Sequence, residues 1–147
     1  MPQHAETRFM PYTPDQLYDL VADVKSYPEF LPWCAGARIR DRKPLDEGEV
    51  IEADLVIAFK VFREKFGSRV TLKPEQKRID TEYLDGPFKY LISHWDFAPA
   101  EGGCNVDFSV DFEFKNRILA GVIGVVFGEA MQRIVRAFET RAKELYG

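Results

Sequence analysis

The residue whose type and position are most out of place is Glu64. In the stretch FREKFGSRVTL, Phe62, Phe66, Val70 and Leu72 hold one alternating phase while Arg63, Lys65 and Arg69 hold the other. Glu64 shares the apolar phase, where a carboxylate is costly unless paired or protonated. Two uses fit it: a polar contact to a ligand head group, or a general acid/base. The simpler alternative is a position close to a turn, where the side chain reaches water or an arginine. His4 and His94 are isolated, show no ligand spacing and accompany no nucleophile elbow or triad. They read as structural or solvated side chains, and no catalytic set and no metal site is expected. Cys34 and Cys104 stand far apart without a CxxC, so free thiols in a reducing cytosol are expected. Arg38, Arg40 and Arg42 alternate in GARIRDRK, which would align three guanidinium groups on one strand face. Such a row can grip lipid phosphates or ribosomal RNA, or simply form a solvated face that discourages edge pairing. The acidic residues of segment 104–115 would repel the same partner.

Composition narrows the classes. The 147 residues suit a single domain, 1–147, and 46% hydrophobic with 30% charged residues is a globular balance. Aromatics reach 14%, with twelve Phe, which supply bulk and smooth apolar surface for a large core or an apolar pocket. A net charge of −4 argues against general nucleic-acid binding, which draws on a basic excess. The N-terminus MPQHAETRF shows no signal-peptide pattern. The run Ile118–Gly128 carries no charged or polar side chain, yet Arg117 and Glu129 bound it short of the ~20 residues a span needs.

These residues must be positioned by regular elements. Thr13, Pro14 and Gln16 form a capping box ahead of Leu17, Leu20, Val21 and Val24 at helical spacing, predicting a helix over 14–24. Pro28 and Pro32 allow only a short helical turn between them. From about 36 to 115 the pattern is strands. Ile51, Ala53, Leu55, Ile57, Phe59 and Val61 share an apolar face, and the phase switches at Phe62, placing a turn near Lys60–Phe62. Cys104, Val106, Phe108, Val110, Phe112 and Phe114 alternate with polar residues. Short connections imply an antiparallel sheet with one dry face. A long helix over 117–146 covers it, with Ala130, Met131, Ile134, Phe138, Ala142 and Leu145 as its apolar stripe. The fold class is α+β.

The dry face gathers Phe59, Phe62, Phe66, Trp95 and Phe97 with Phe108 and Phe112. In YLISHWDF the odd residues are assigned inward, since the even ones would bury His94 and Asp96 without partners. Each aromatic alone reads as core; together they could line an apolar slot. Gly121, Gly124 and Gly128 leave one face of the long helix nearly bare. Glycine in a helix costs roughly 1 kcal/mol relative to Ala, so the bare face implies close approach of the sheet or room for a ligand tail.

Three segments carry a resemblance: DVKSYPEFLPWC at 23–34, REKFGSRV at 63–70 and LDGPFKYLISHWDF at 84–97. Together they resemble the coenzyme Q-binding START-domain family, within the polyketide cyclase/dehydrase superfamily, over nearly the whole chain. The resemblance implies a START-like helix-grip fold: a curved antiparallel sheet of about seven strands around a long C-terminal helix, with two short helices after the first strand. It implies a non-catalytic protein that needs no cofactor and holds ubiquinone or a similar polyprenyl lipid in an apolar cavity. Tyr27, Phe30, Leu31 and Trp33 would then lie at the cavity mouth, either as a rim admitting an isoprenoid tail or as a plug for the sheet's open end. Burying one isoprene unit is worth about 4 kcal/mol, at ~0.8 per methylene-sized group. Tyr83, Tyr90 and Trp95 are the candidate head-group donors. Val122 and Val126 would face the ligand from the long helix, and residues 118–128 would form a lid making transient contact with a membrane surface. The expected location is cytoplasmic, peripheral to the inner face of the membrane. The family also includes ribosome-association toxins, so binding to the large ribosomal subunit through Arg38, Arg40 and Arg42 is the alternative. A polyketide cyclase or aromatase is the third reading, with Glu64 as its one internal polar group.

Overall fold

The computed structural model describes residues 3–59 and 62–147. Among these, strand β1 (Gln3–Met10) leads into helix α1 (Pro14–Ala22) and a 3-10 helix over Val24–Glu29. There follow β2 (Cys34–Leu45), β3 (Gly48–Phe59), β4 (Phe62–Lys73), β5 (Arg78–Asp85), β6 (Phe88–Ala100) and β7 (Gly103–Phe114). Helix α2 (Arg117–Tyr146) completes the chain. The strands form one antiparallel sheet in the order β1-β7-β6-β5-β4-β3-β2. Consecutive hairpins run from β2 to β7, and β1 closes the far edge beside β7. This is the expected α+β architecture, a sheet folded around a long helix.

The local signals work as their chemistry dictates. Thr13 Oγ1 accepts from the Gln16 N–H at 3.1 Å, and Gln16 Oε1 accepts from the Thr13 N–H at 3.0 Å. α1 ends at Ala22, earlier than the periodicity predicts, because the backbone tightens at Asp23 into the 3-10 helix that contains Pro28. Asn116 caps α2, its Oδ1 accepting from the N–H groups of Ile118 (2.9 Å) and Leu119 (3.1 Å). The turn expected near Lys60–Phe62 falls on Lys60 and Val61, which lie outside the described residues, as do the Phe59 and Phe62 side chains.

Among the described residues, the inner face of the sheet carries Phe66, Trp95, Phe97, Phe108 and Phe112 as predicted, and the core it builds is in two parts. One cluster joins α1, the C-terminal half of α2 and one end of the sheet, with Ile51, Ala53, Val70, Ile79, Trp95 and Phe108 among its members. The other joins Phe66, Phe88, Phe112, Phe114 and Leu119 at the opposite end. Gly86, at φ 134°, makes the turn that brings β6 over the second cluster; an added Cβ would meet the Phe66 Cβ at 2.6 Å.

Two expectations for α2 are corrected. Its buried stripe is Ala130, Val135, Phe138 and Ala142, whereas Leu145 is 51% exposed. The final turn lies beside α1, where the Tyr146 hydroxyl donates to the Gln16 carbonyl at 3.0 Å. Gly121, Gly124 and Gly128 neither admit the sheet nor face the interior: a Cβ at each would meet open space. Ile118 and Val125, 72% and 86% exposed, share that outer surface. By length and composition α2 could cross a membrane, with 17% of its apolar window buried, although its C-terminal half is packed into the core.

Candidate ligand cavity

A cavity of about 270 Å³ lies between the concave sheet and α2. Its floor is the inner face of β3–β7, its roof is α2, and its edge is the segment from α1 through Cys34. Tyr27, Leu31 and Trp33 of the predicted mouth line it, as do Phe66 and Trp95 from the sheet. Pro32 directs the chain into Trp33, which takes a left-handed backbone (φ 64°), and the Trp33 carbonyl accepts from the Ala58 N–H at 2.9 Å. A bulky residue in that conformation is strained, and the surrounding contacts hold it at the edge of the cavity.

Other expected lining residues are elsewhere. Phe30 packs outside, edge-on to Phe138 with ring centroids 5.3 Å apart and under the Arg141 guanidinium. Phe97 is buried beside Trp95 in the first cluster. Tyr83 is tied down locally, its hydroxyl accepting from the Phe88 N–H at 3.2 Å. Tyr90 donates to Asp111 at 3.0 Å, away from the cavity. Glu64 pairs in register with Ile57, keeps the inward phase, and is half-buried without reaching the cavity wall. Val122 and Val126 are likewise absent from the wall. Ile123, Phe127, Ala130, Met131 and Ile134 form the roof instead, so the inward face of the helix lies about one position from the face expected, with the glycines outward.

The hydroxyls of Ser68, Thr81 and Ser93 also line the cavity. Their signal in the sequence is phase alone: each sits on the alternating apolar face of its strand, and each is small.

The titratable groups at the wall are held neutral. Burial raises the Tyr27 hydroxyl well above its ordinary range, with Cys34 and Asp23 adding to the shift, and that hydroxyl donates to the Val21 carbonyl. Burial likewise raises the Cys34 thiol, outweighing a lowering backbone hydrogen bond from Gly36. Neither is poised to act as a base or nucleophile at neutral pH.

The arginine row does not survive folding. A register shift between Ile39 and Asp41 breaks the alternation, so Arg42 stands opposite inward-facing Ile51 and pairs with Glu49 at 2.9 Å. Arg40 forms an ion pair with buried Asp54 and donates two hydrogen bonds to Asp85. His94, on the convex face, meets Asp80 Oδ1 at 2.5 Å and Arg78 at 3.2 Å. Asp96 is paired with Arg78 there too. His4 pairs with Glu6 at 2.7 Å. Among the described residues no three His, Cys, Asp or Glu side chains gather as a metal site.

This combination, a sheet gripping a helix around an apolar cavity, defines the START-like class, and the chain matches it in sequence as well. Residues 10–139 match the model of the family described as polyketide cyclase / dehydrase and lipid transport, and the chain belongs to that family. It is 42% identical over 142 residues to the ribosome association toxin RatA of Rickettsia prowazekii, covering 95% of this chain and 94% of that one. It is 31% identical over 150 residues to the mitochondrial coenzyme Q-binding protein COQ10 homolog B of Xenopus laevis, covering 99% of this chain and 59% of that one. Among solved structures, the 18 kDa protein CC1736 from Caulobacter crescentus superposes with a TM-score of 0.83 at 36% identity, covering 100% and 99% of the two chains. A START superfamily protein from Mycobacterium smegmatis shares the fold, with a TM-score of 0.79 at 18% identity over 97% and 98% of the chains. The family embraces lipid carriers and cyclases, and its members' names point both to coenzyme Q and to the ribosome.

Proposed function

We propose that the protein binds a polyprenyl quinone, or a closely similar ring-bearing lipid, in the cavity under α2 without transforming it. The observation that carries this reading is the cavity itself. It runs through the middle of the fold, is walled almost wholly by apolar side chains, and offers no ionised group to a ligand. Binding there is driven by removing apolar surface from water. At about 270 Å³ the cavity is at the small end of ligand sites, ~300–1,000 Å³, so it encloses a ring and the first part of a tail. The rest of a long tail leaves beneath the N-terminal half of α2. The exposed Ile118 and Val125 give that half-helix a surface suited to meeting a membrane when the lipid enters or leaves. The expected place of action is the cytoplasmic face of a membrane.

The test is solvent extraction of protein purified from its own cell background, followed by mass spectrometry of the extract. It is run in parallel on Val110→Trp, which fills the cavity from β7. Quinone in the wild type and not in the variant supports the reading; an empty wild-type protein overturns it.

The relative named as a ribosome association toxin is more similar than the one named for coenzyme Q, 42% against 31% identical, and this favours a second reading. In it the protein binds the large ribosomal subunit through its surface. With Arg40 and Arg42 engaged within the fold, Arg38 is the exposed member of the row left to take part. Co-sedimentation with isolated subunits, lost in Arg38→Glu and unaffected by Val110→Trp, would establish that reading over the first.

A further inference from the structure

The boundary between the two core clusters is crossed by a line of side chains on the inner face of the sheet. On β3 it is Leu55, which packs against both clusters, and on β7 it is Val110, which also packs against both. On each of the three strands between them, a hydroxyl residue falls between the two clusters. Ser68 lies between Phe66 of one cluster and Val70 of the other. Thr81 lies between Ile79 and Tyr83, and Ser93 between Leu91 and Trp95. Thr81 stands directly opposite Ser93 and Ser93 opposite Val110, while Ser68 pairs with Tyr83 and lies two residues along β4 from Val70, the partner of Thr81. All three reach the cavity, and none of their hydroxyls makes a hydrogen bond to a described residue.

That is an expensive arrangement for packing alone. Ser68 is 2% exposed, and a hydroxyl that opens on an apolar cavity gives up the hydrogen bonds water would supply. Ala or Val at these places would extend the apolar wall already made by Leu55 and Val110. Each hydroxyl rotates freely and offers one donor and two acceptor lone pairs. Three of them in a row across the middle of an apolar cavity form a band that a hydrocarbon cannot use and an oxygen-bearing ring can.

We infer that Ser68, Thr81 and Ser93 form the polar seat of the cavity and select an apolar ligand whose ring carries carbonyl oxygens over a hydrocarbon of the same size. This rests on the reading of the cavity as a lipid site and adds to it the position and orientation of the ring. The ring lies against β4–β6 at the line between the clusters, and the apolar remainder extends beneath Ile123 and Phe127 of α2. The selectivity comes from the hydroxyls that a hydrocarbon leaves unpaired.

The test compares two probes, a decyl-substituted 1,4-benzoquinone and decylbenzene, in displacing an anilinonaphthalene sulfonate dye from the cavity. The wild type is expected to bind the quinone at least tenfold more tightly, the gain from one to two net hydrogen bonds. In the triple variant Ser68→Ala, Thr81→Val, Ser93→Ala the preference falls to within threefold, while decylbenzene binds as well as before or better. The single variant Thr81→Val, which keeps the side-chain shape, gives a partial loss and serves if the triple variant fails to fold. A preference that persists in these variants overturns the inference, as does equal binding of both probes by the wild type. In both of those cases the cavity reading stands. If neither probe displaces the dye, the cavity reading fails and the polar seat with it.

Discussion

Arg40 reaches across the bare Cα of Gly67 to hold Asp85, its Nη1 and Nη2 bonding the two carboxylate oxygens at 3.2 and 3.0 Å. The same guanidinium covers Asp54, which is 7% exposed. One side chain from edge strand β2 thus ties together β3, β4 and the end of β5.

That crossing predicts the effect of a single methyl group. In Gly67→Ala the new Cβ would lie 2.6 Å from Arg40 Nη2 and 2.9 Å from Asp85 Oδ1, so the fork must move off both carboxylates. Buried Asp54 then loses its cation. A thermal melt is expected to show a clear drop in Tm. An unchanged Tm would mean that the fork relocates at no cost.

The outward glycines of α2 predict the opposite sign. Gly121, Gly124 and Gly128 lie within a helix and face open space, so Ala at each adds helix propensity and meets no obstacle. The triple Ala variant should be more stable by about 2 kcal/mol, raising Tm by roughly 6 °C. Destabilisation would mean that this face packs against something within the fold.

The corrected stripe of α2 is checked by a matched pair. Phe138 is 4% exposed and meets Tyr27, Phe30 and Trp95 edge-on at centroid distances of 5.5, 5.3 and 5.1 Å. Phe138→Ala should cost about 4 kcal/mol in denaturant unfolding. Leu145→Ala, at an exposed position, should cost less than about 0.5 kcal/mol.

The convex-face network predicts a pH dependence. Burial pulls the Asp80 carboxyl up, but hydrogen bonds from Lys73, His94 and Arg78 outweigh it and bring the group down to about 2 from its ordinary 3.8. A depressed carboxyl stabilises the fold above its unfolded pKa, and that stability is lost as pH falls from about 4 towards 2. Asp80→Asn should therefore be less stable than the wild type at pH 7, by about 1 kcal/mol after solvent screening. The gap should close in acid. A gap that is constant between pH 7 and 2 would show that the carboxylate charge is not its source.

The elements and their inward faces were legible in the chain because short-range physics sets them. Thr13 and Gln16 cap a helix whatever surrounds them, and the period of two in β3, β4, β6 and β7 assigns each side chain to a face. The assignment of the odd residues of YLISHWDF inward held for the same reason: His94 and Asp96 find Asp80 and Arg78 on the outer face. What periodicity could not supply was how far the long helix is rotated over the sheet. An all-apolar segment such as Ile118–Gly128 has no wet side to orient it, so Val122 and Val126 were indistinguishable from Ile123 and Phe127 until the sheet was in place. The arginine row failed through a bulge, which changes the face of Arg42 with no Gly or Pro to announce it. The polar line of Ser68, Thr81 and Ser93 is tertiary in the strictest sense. These residues are twelve or more positions apart in sequence, and only the register of β4, β5 and β6 makes them neighbours.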